Sequence, residues 1–320
     1  MKIAVLDKAT LGYDTRFDSI SALGEVDFYN TTEENEISER CKETDVIITN
    51  KVKISEKTMS ELPRLKLICV FATGYDNIDI AAARKRGIAV CNVPGYSTDS
   101  VAMFTVATVL SLATHLSEYS EYVKSGEYTS SGCANRIVPV YHEIKGKKWG
   151  IVGYGSIGRA VGRVAASLGA EILAFKSTPT NEVKCVDIDT LCCESDIITL
   201  HLPLNDKTKH LIDRRRIELM KRDVILVNAA RGAVVNEVDV SKAIKESRIG
   251  AFGCDVYTTE PFSQEHPYYE IMNMKNVLLT PHAAWAAYEA RERCVNTVSE
   301  NIKAYFDGKI KNRVDITGQN

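Results

Sequence analysis

Short apolar runs rich in β-branched residues alternate with stretches of helical period along the first hundred residues. Residues 2–6, 26–29, 45–49, 66–71 and 88–91 read as strands, with helical patterns between them, as at 55–62 and 79–85. The strands are almost continuously apolar, so both faces of the sheet must be covered. That predicts a parallel sheet with helices on either side. Asn92-Val93-Pro94-Gly95-Tyr96 breaks the series. Ser97, Thr98 and Asp99 then offer N-caps for one long helix running to about Tyr122. Its first part, as far as Leu116, is apolar on nearly every side, so cover is expected all round, and a subunit interface is the favoured cover. Residues 126–143 are expected to form a polar, irregular arm. A second alternating series starts at Lys147, with strands expected at 148–152, 171–175, 196–200, 224–227, 250–255 and 277–279. A last helix, about 287–306, has no strand after it and is expected to return to the first domain. The expectation is an α/β protein with two domains: 1–98 with 286–320, and 99–285.

Composition narrows the class of partner. The chain has 320 residues, 45% of them hydrophobic and 26% charged, which suits two globular domains. A net charge of −2 gives no electrostatic footprint for nucleic acid or an acidic membrane. The first residues, Met1-Lys2-Ile3-Ala4-Val5-Leu6-Asp7, lack the apolar core and cleavage site of a secretion signal. The most apolar segment, 101–116, is short for a membrane span and studded with Ser, Thr and His. A cytoplasmic protein is expected, forming a homodimer and binding neither membrane nor nucleic acid. The nine cysteines include no CxxC pair and are expected to be buried, reduced thiols. His115, His142, His201, His210 and His266 lack metal-ligand spacing, so no metal site is expected.

Gly153-Tyr154-Gly155-Ser156-Ile157-Gly158 follows an expected strand and opens an expected helix over 157–168. In that context GxGxxG has a mechanism. Gly153 makes the tight turn, Gly155 lets backbone approach a pyrophosphate, and Gly158 lets helix and strand pack closely. The helix N-terminus adds free N–H groups and a positive dipole end. After the next strand an acid would hold a ribose 2′-hydroxyl, but Lys176-Ser177-Thr178 stands there. An ammonium with two hydroxyls accepts a 2′-phosphate, which leans the expectation from NAD towards NADP. The alternative is that Lys176 is merely solvated.

Three further motifs follow expected strands: Asn228-Ala229-Ala230-Arg231-Gly232, Asp255 to Pro261, and Thr280-Pro281-His282-Ala283-Ala284-Trp285. In a doubly wound sheet the carboxyl ends of the strands share one crevice. Reducing a 2-keto acid requires a hydride donor, a proton donor and a cation. Arg231 can bind the carboxylate and polarise the ketone. His282 can protonate the forming alkoxide. Glu260 can hold the imidazole and favour its charged form. Each residue alone is an ordinary surface or turn residue; their joint placement after a dinucleotide motif is what points to chemistry.

These motifs, with Phe71-Ala72-Thr73-Gly74-Tyr75-Asp76-Asn77-Ile78-Asp79 and His201-Leu202-Pro203-Leu204, resemble the D-isomer-specific 2-hydroxyacid dehydrogenase family over nearly the whole chain. The stretches 95–102 and 282–285 are most similar to its glycerate dehydrogenase/hydroxypyruvate reductase branch. The resemblance implies a flavodoxin-like substrate domain and a Rossmann dinucleotide-binding domain, both doubly wound, with a cleft between. It implies that Arg231, Glu260 and His282 are catalytic. Asp255 would hold the nicotinamide carboxamide, and Ala72, Thr73 and Gly74 would help bind the substrate carboxylate. Thr73, Ser156, Ile157, Leu202, Pro203, Ala229 and Ala230 fall at cofactor-contacting positions. Two departures stand out: Lys176 replaces the usual acid, and Met103 replaces an acid or amide. The expected reaction is reduction of hydroxypyruvate or glyoxylate to D-glycerate or glycolate, or its reverse. Lactate- and phosphoglycerate-type specificities stay open, although no regulatory domain of the phosphoglycerate type is expected past residue 320. So does a dinucleotide-sensing scaffold like the C-terminal binding proteins, which the Arg/Glu/His set argues against.

Overall fold

The computed structural model describes residues 1–178 and 180–316. The chain divides into two compact units, Met1–Ser97 with Ala286–Asn320, and Thr98–Trp285. Residues 317–320 of the expected first domain lie outside the described residues.

The first unit holds five strands: β1 (Lys2–Val5), β2 (Glu25–Phe28), β3 (Val46–Thr49), β4 (Leu67–Val70) and β5 (Ala89–Cys91). All pair in parallel in the order β2-β1-β3-β4-β5, the flavodoxin-like arrangement. β3, β4 and β5 are buried at every residue, as their uniform apolarity requires. The closing helix, Tyr288–Phe306, belongs to this unit. Ser299 donates to Ser19 O at 2.8 Å, and Asn301 Nδ2 to Asn92 O at 2.9 Å.

The second unit holds β6 (Lys148–Val152), β7 (Glu171–Phe175), β8 (Lys184–Cys185), β9 (Ile197–Leu200), β10 (Ile225–Asn228), β11 (Ala251–Cys254) and β12 (Val277–Leu279). They pair in parallel in the order β12-β11-β10-β9-β6-β7-β8. The order reverses between β6 and β9, where a Rossmann sheet opens its ligand crevice. Helices Thr98–Ala113 and Ser156–Ser167 cover one face, with Trp149 fully buried beneath them and its Nε1 donating to Thr199 Oγ1 at 3.1 Å. Leu191, Ile217, Val240 and Phe252 pack the other face.

Several expectations need correction. The single helix to Tyr122 is two helices, Thr98–Ala113 and Leu116–Lys124, meeting at a 65° bend. His115 takes a left-handed conformation there (φ 52°), and Thr114 donates back to Leu110 O, closing the first helix. On the first helix, Val106 and Val109 pack against the sheet and Met103 is 64% exposed within the single chain, which leaves the expected subunit cover open. Among the described residues, no single helix is long and apolar enough to cross a membrane. The arm contains a short helix, Glu127–Ser131, and exposes the apolar Ile137, Val138, Val140 and Tyr141, so it is not uniformly polar. β8 was not expected; two residues are too few to leave a pattern. All nine cysteines are free thiols, but Cys133 and Cys193 are exposed.

Candidate active site

At the end of β6 each glycine of the loop has its own physical reason. Gly153 has φ 99°, and a Cβ there would stand 2.6 Å from His201 O. A Cβ on Gly158 would stand 2.2 Å from Gly153 O, so helix and loop meet backbone to backbone. Above Gly155 nothing lies within 4 Å, leaving its backbone open to a ligand. Gly155 caps helix Ser156–Ser167, which carries no acid in its first turn to oppose a phosphate. The cradle therefore fits a dinucleotide pyrophosphate. Ser156 is exposed and Ile157 half-buried at the start of that helix.

Lys176 directly follows β7 and is half-buried, with Ser177 and Thr178 exposed beside it. Leu202 is half-buried and Pro203 exposed beyond β9. His201, just beyond β9, is held in its neutral form by burial. Neither ring nitrogen meets a partner among the described residues, and burial pushes its pKa down to about 3.

The three chemistry-bearing motifs follow neighbouring strands. Asn228 pairs with Cys254 and Cys254 with Leu279, so the segments after β10, β11 and β12 leave the same edge of the sheet. Asn228 shapes the first segment: its Nδ2 donates to Arg231 O at 2.9 Å, and its Oδ1 accepts from Ala230 N–H at 3.1 Å. Arg231 Nη1 donates to Ala230 O at 2.8 Å. Ala229 is half-buried and Ala230 buried within this turn.

Glu260 and His282 meet. His282 Nδ1 lies 2.7 Å from Glu260 Oε2, and Glu260 Oε1 accepts the N–H of Tyr257 at 3.0 Å. The carboxylate is thus fixed at one oxygen and presents the other to the imidazole. His282 has φ 54°, unusual for a residue with a side chain. Asp255, 4% exposed, holds that turn. Its Oδ1 accepts Thr280 Oγ1–H at 2.6 Å and Ala283 N–H at 2.8 Å, and its Oδ2 accepts Ala284 N–H at 2.9 Å. Burial raises the Asp255 pKa; these bonds and the nearby His282 pull against that. Tyr257 adds a bond from Oη to Thr280 O at 2.8 Å, and Ser100 Oγ donates to Ala284 O at 2.6 Å. The supporting roles of Asn228, Tyr257 and Thr280 had no signal beyond their place inside the motifs.

In the first unit, the loop after β4 is tied to the segment after β5. Val93 N–H donates to Ala72 O at 2.9 Å, Thr73 Oγ1 to Val93 O at 2.8 Å, and Asn92 Nδ2 to Thr73 O at 2.7 Å. Gly74 follows in the same loop, and Asn77 Nδ2 donates to Val52 O at 2.9 Å. Among the described residues, no three His, Cys, Asp or Glu side chains cluster as a metal site.

The chain is similar to known proteins throughout. Residues 106–284 match the family described as D-isomer specific 2-hydroxyacid dehydrogenase, NAD binding domain. It is 33% identical to a hydroxypyruvate reductase of Blautia hydrogenotrophica, over 98% of this chain and 100% of that one. It is 39% identical to a glyoxylate reductase of Thermococcus litoralis, over 85% of this chain and 83% of that one. Among solved structures, an acyclic imino acid reductase in complex with NADPH and D-Arg superimposes with a TM-score of 0.86, at 29% identity over 98% of this chain and 100% of that one. With a dinucleotide cradle, a paired histidine and carboxylate, and likeness over nearly its whole length, the chain belongs to the D-isomer-specific 2-hydroxyacid dehydrogenase family of NAD(P)-dependent oxidoreductases.

Proposed function

We propose that this enzyme interconverts a small 2-keto acid, hydroxypyruvate or glyoxylate, with the corresponding D-glycerate or glycolate. The observation that carries the reading is the 2.7 Å bond between Glu260 and His282, with a buried aspartate fixing the turn that carries the imidazole. Bound nicotinamide supplies the hydride to the substrate C2 in reduction and takes it in oxidation. His282 Nε2 gives its proton to the oxygen that becomes the hydroxyl, and Glu260 stabilises the charged imidazole before the transfer. Arg231 binds the substrate carboxylate and draws charge towards the carbonyl oxygen, with Ala72, Thr73 and Gly74 assisting at the carboxylate. In the reverse direction His282 is the base.

Gly153, Gly155, Ser156, Ile157 and Gly158 would hold the pyrophosphate, with Leu202, Pro203, Ala229, Ala230 and Thr73 lining the rest. Asp255 would serve the carboxamide as well as the His282 turn. Lys176 leans the choice towards NADP(H), through charge and the absence of a carboxylate after β7. Rates with hydroxypyruvate, glyoxylate, pyruvate and phosphohydroxypyruvate, each with NADH and NADPH, test both assignments. Hydroxypyruvate or glyoxylate is expected to lead, and Lys176→Asp to turn a preference for NADPH into one for NADH. Indifference of the cofactor ratio to Lys176→Asp removes the phosphate role.

A further inference from the structure

Beside the Asp255–Pro261 segment lies a second histidine–carboxylate pair that the reaction does not use. Glu237 is the first residue of helix Glu237–Lys245, and both it and His266 are buried. His266 Nδ1 accepts Tyr268 N–H at 3.1 Å, so the proton of the neutral ring sits on Nε2. That proton is donated to Glu237 Oε2 at 3.0 Å. The hydroxyl of Thr258 donates to the same oxygen, and the backbone N–H of Thr258 donates to Oε1 at 2.9 Å. Three donors thus converge on one carboxylate at a helix N-terminus, which itself favours negative charge. The rings of Tyr257, Phe262 and Tyr268 pack around the imidazole at centroid distances of 6.0, 5.0 and 5.0 Å. Ser241 Oγ secures Pro267 O at 2.7 Å.

The carboxylate grips a peptide on which two proposed catalytic groups lean. Tyr257, adjacent to Thr258, fixes Glu260 Oε1 and thereby leaves Oε2 for His282. A Cβ on Gly232 would stand 2.1 Å from the carbonyl carbon of Tyr257 and 2.3 Å from Thr258 N, so the loop after Arg231 rests on the same two residues. We infer that Glu237, oriented by His266, is a positioning residue for hydride transfer: it clamps Thr258 so that Glu260 faces His282 and the Arg231 loop keeps its seat. The inference rests on the roles given above to Glu260 and His282.

The test compares full-length Glu237→Gln, Glu260→Gln and the double variant, with hydroxypyruvate as substrate. The readouts are kcat, KM, the pH–rate profile and dinucleotide Kd by fluorescence. Gln keeps the size of Glu237 but turns an amide against one of three donors. In Glu237→Gln, kcat is expected to fall about tenfold through misplacement of Glu260, with dinucleotide Kd unchanged. Its pH–rate profile moves in the same direction as that of Glu260→Gln, and the double variant is no slower than Glu260→Gln alone. Thr258→Val, at an exposed position, gives a smaller effect of the same kind and serves if Glu237→Gln does not fold. A wild-type profile in Glu237→Gln and Thr258→Val, or losses that multiply in full with that of Glu260→Gln, overturns the inference and leaves the proposed function standing. A Glu260→Gln enzyme with an unmoved profile and wild-type kcat overturns the proposed function, and the inference with it.

Discussion

His282 occupies a backbone conformation that a residue with a side chain adopts only under constraint, and Asp255 is the constraint. A buried carboxylate accepting three donors cannot be exchanged for an amide without setting one donor against another. Asp255→Asn is therefore expected to cost about 1–3 kcal/mol in stability, seen as a lower Tm, and to lower kcat as the His282 turn loosens. Its pH dependence has a definite sign. Burial raises the folded pKa of Asp255 above 3.8, so the ionised form is disfavoured in the folded state. The wild type consequently loses stability from this group as pH rises from about 4 through the folded value, and the effect is largest once both states are ionised. In Asp255→Asn that part of the pH dependence disappears. Melting curves from pH 4 to pH 8 measure it, and an unchanged pH slope would show that the carboxyl is not strained by burial. The meeting of Glu260 with His282 was readable in the sequence because both stand in motifs that follow neighbouring strands. Glu237 and His266 were not: the two residues are 29 positions apart, and neither stands in a pattern that pairs them.

The glycine loop is an element whose parts do different jobs, and substitution can separate them. Gly153→Ala meets both a positive φ and the His201 carbonyl, so it is expected to destabilise the fold as well as weaken dinucleotide binding. Gly155→Ala meets open space, so Tm should hold while dinucleotide Kd rises. Parallel measurement of Tm and Kd tests the division, and equal Tm losses in the two variants contradict it. Strands were legible because buried parallel strands are apolar at successive positions, and β6, β7 and β12 ended where the run ended. The bend at Thr114-His115 was not, because neither residue is a strong helix breaker and the apolar pattern runs through it. Helix Tyr288–Phe306 makes a further element-scale contact in the first unit: Arg291 Nη2 bonds Asp14 at 2.8 Å and holds that carboxyl down at about 2. Its contribution is present above the ordinary carboxylate range and fades as pH falls towards 2.

At the scale of the molecule, the sheet orders followed from the alternation of strand and helix together with the resemblance. The exposed apolar positions of the 126–143 arm did not. Ile137 is 77% exposed and Val140 68% in the arm, and Met103 on helix Thr98–Ala113 is 64% exposed. A second copy of the chain is the proposed cover. Sedimentation equilibrium should report a dimer, and Ile137→Glu with Val140→Glu should yield monomer; a wild-type monomer at micromolar concentration would remove the proposal.

In the proposed reaction His282, held by Glu260, passes the proton that accompanies hydride transfer. The most direct measurement is single-turnover oxidation of bound NAD(P)H by hydroxypyruvate in wild type and in His282→Ala. Oxidation in the variant is expected to be at least about a hundredfold slower, as for a lost general acid, with dinucleotide Kd unchanged. Wild-type oxidation rates in His282→Ala would contradict it.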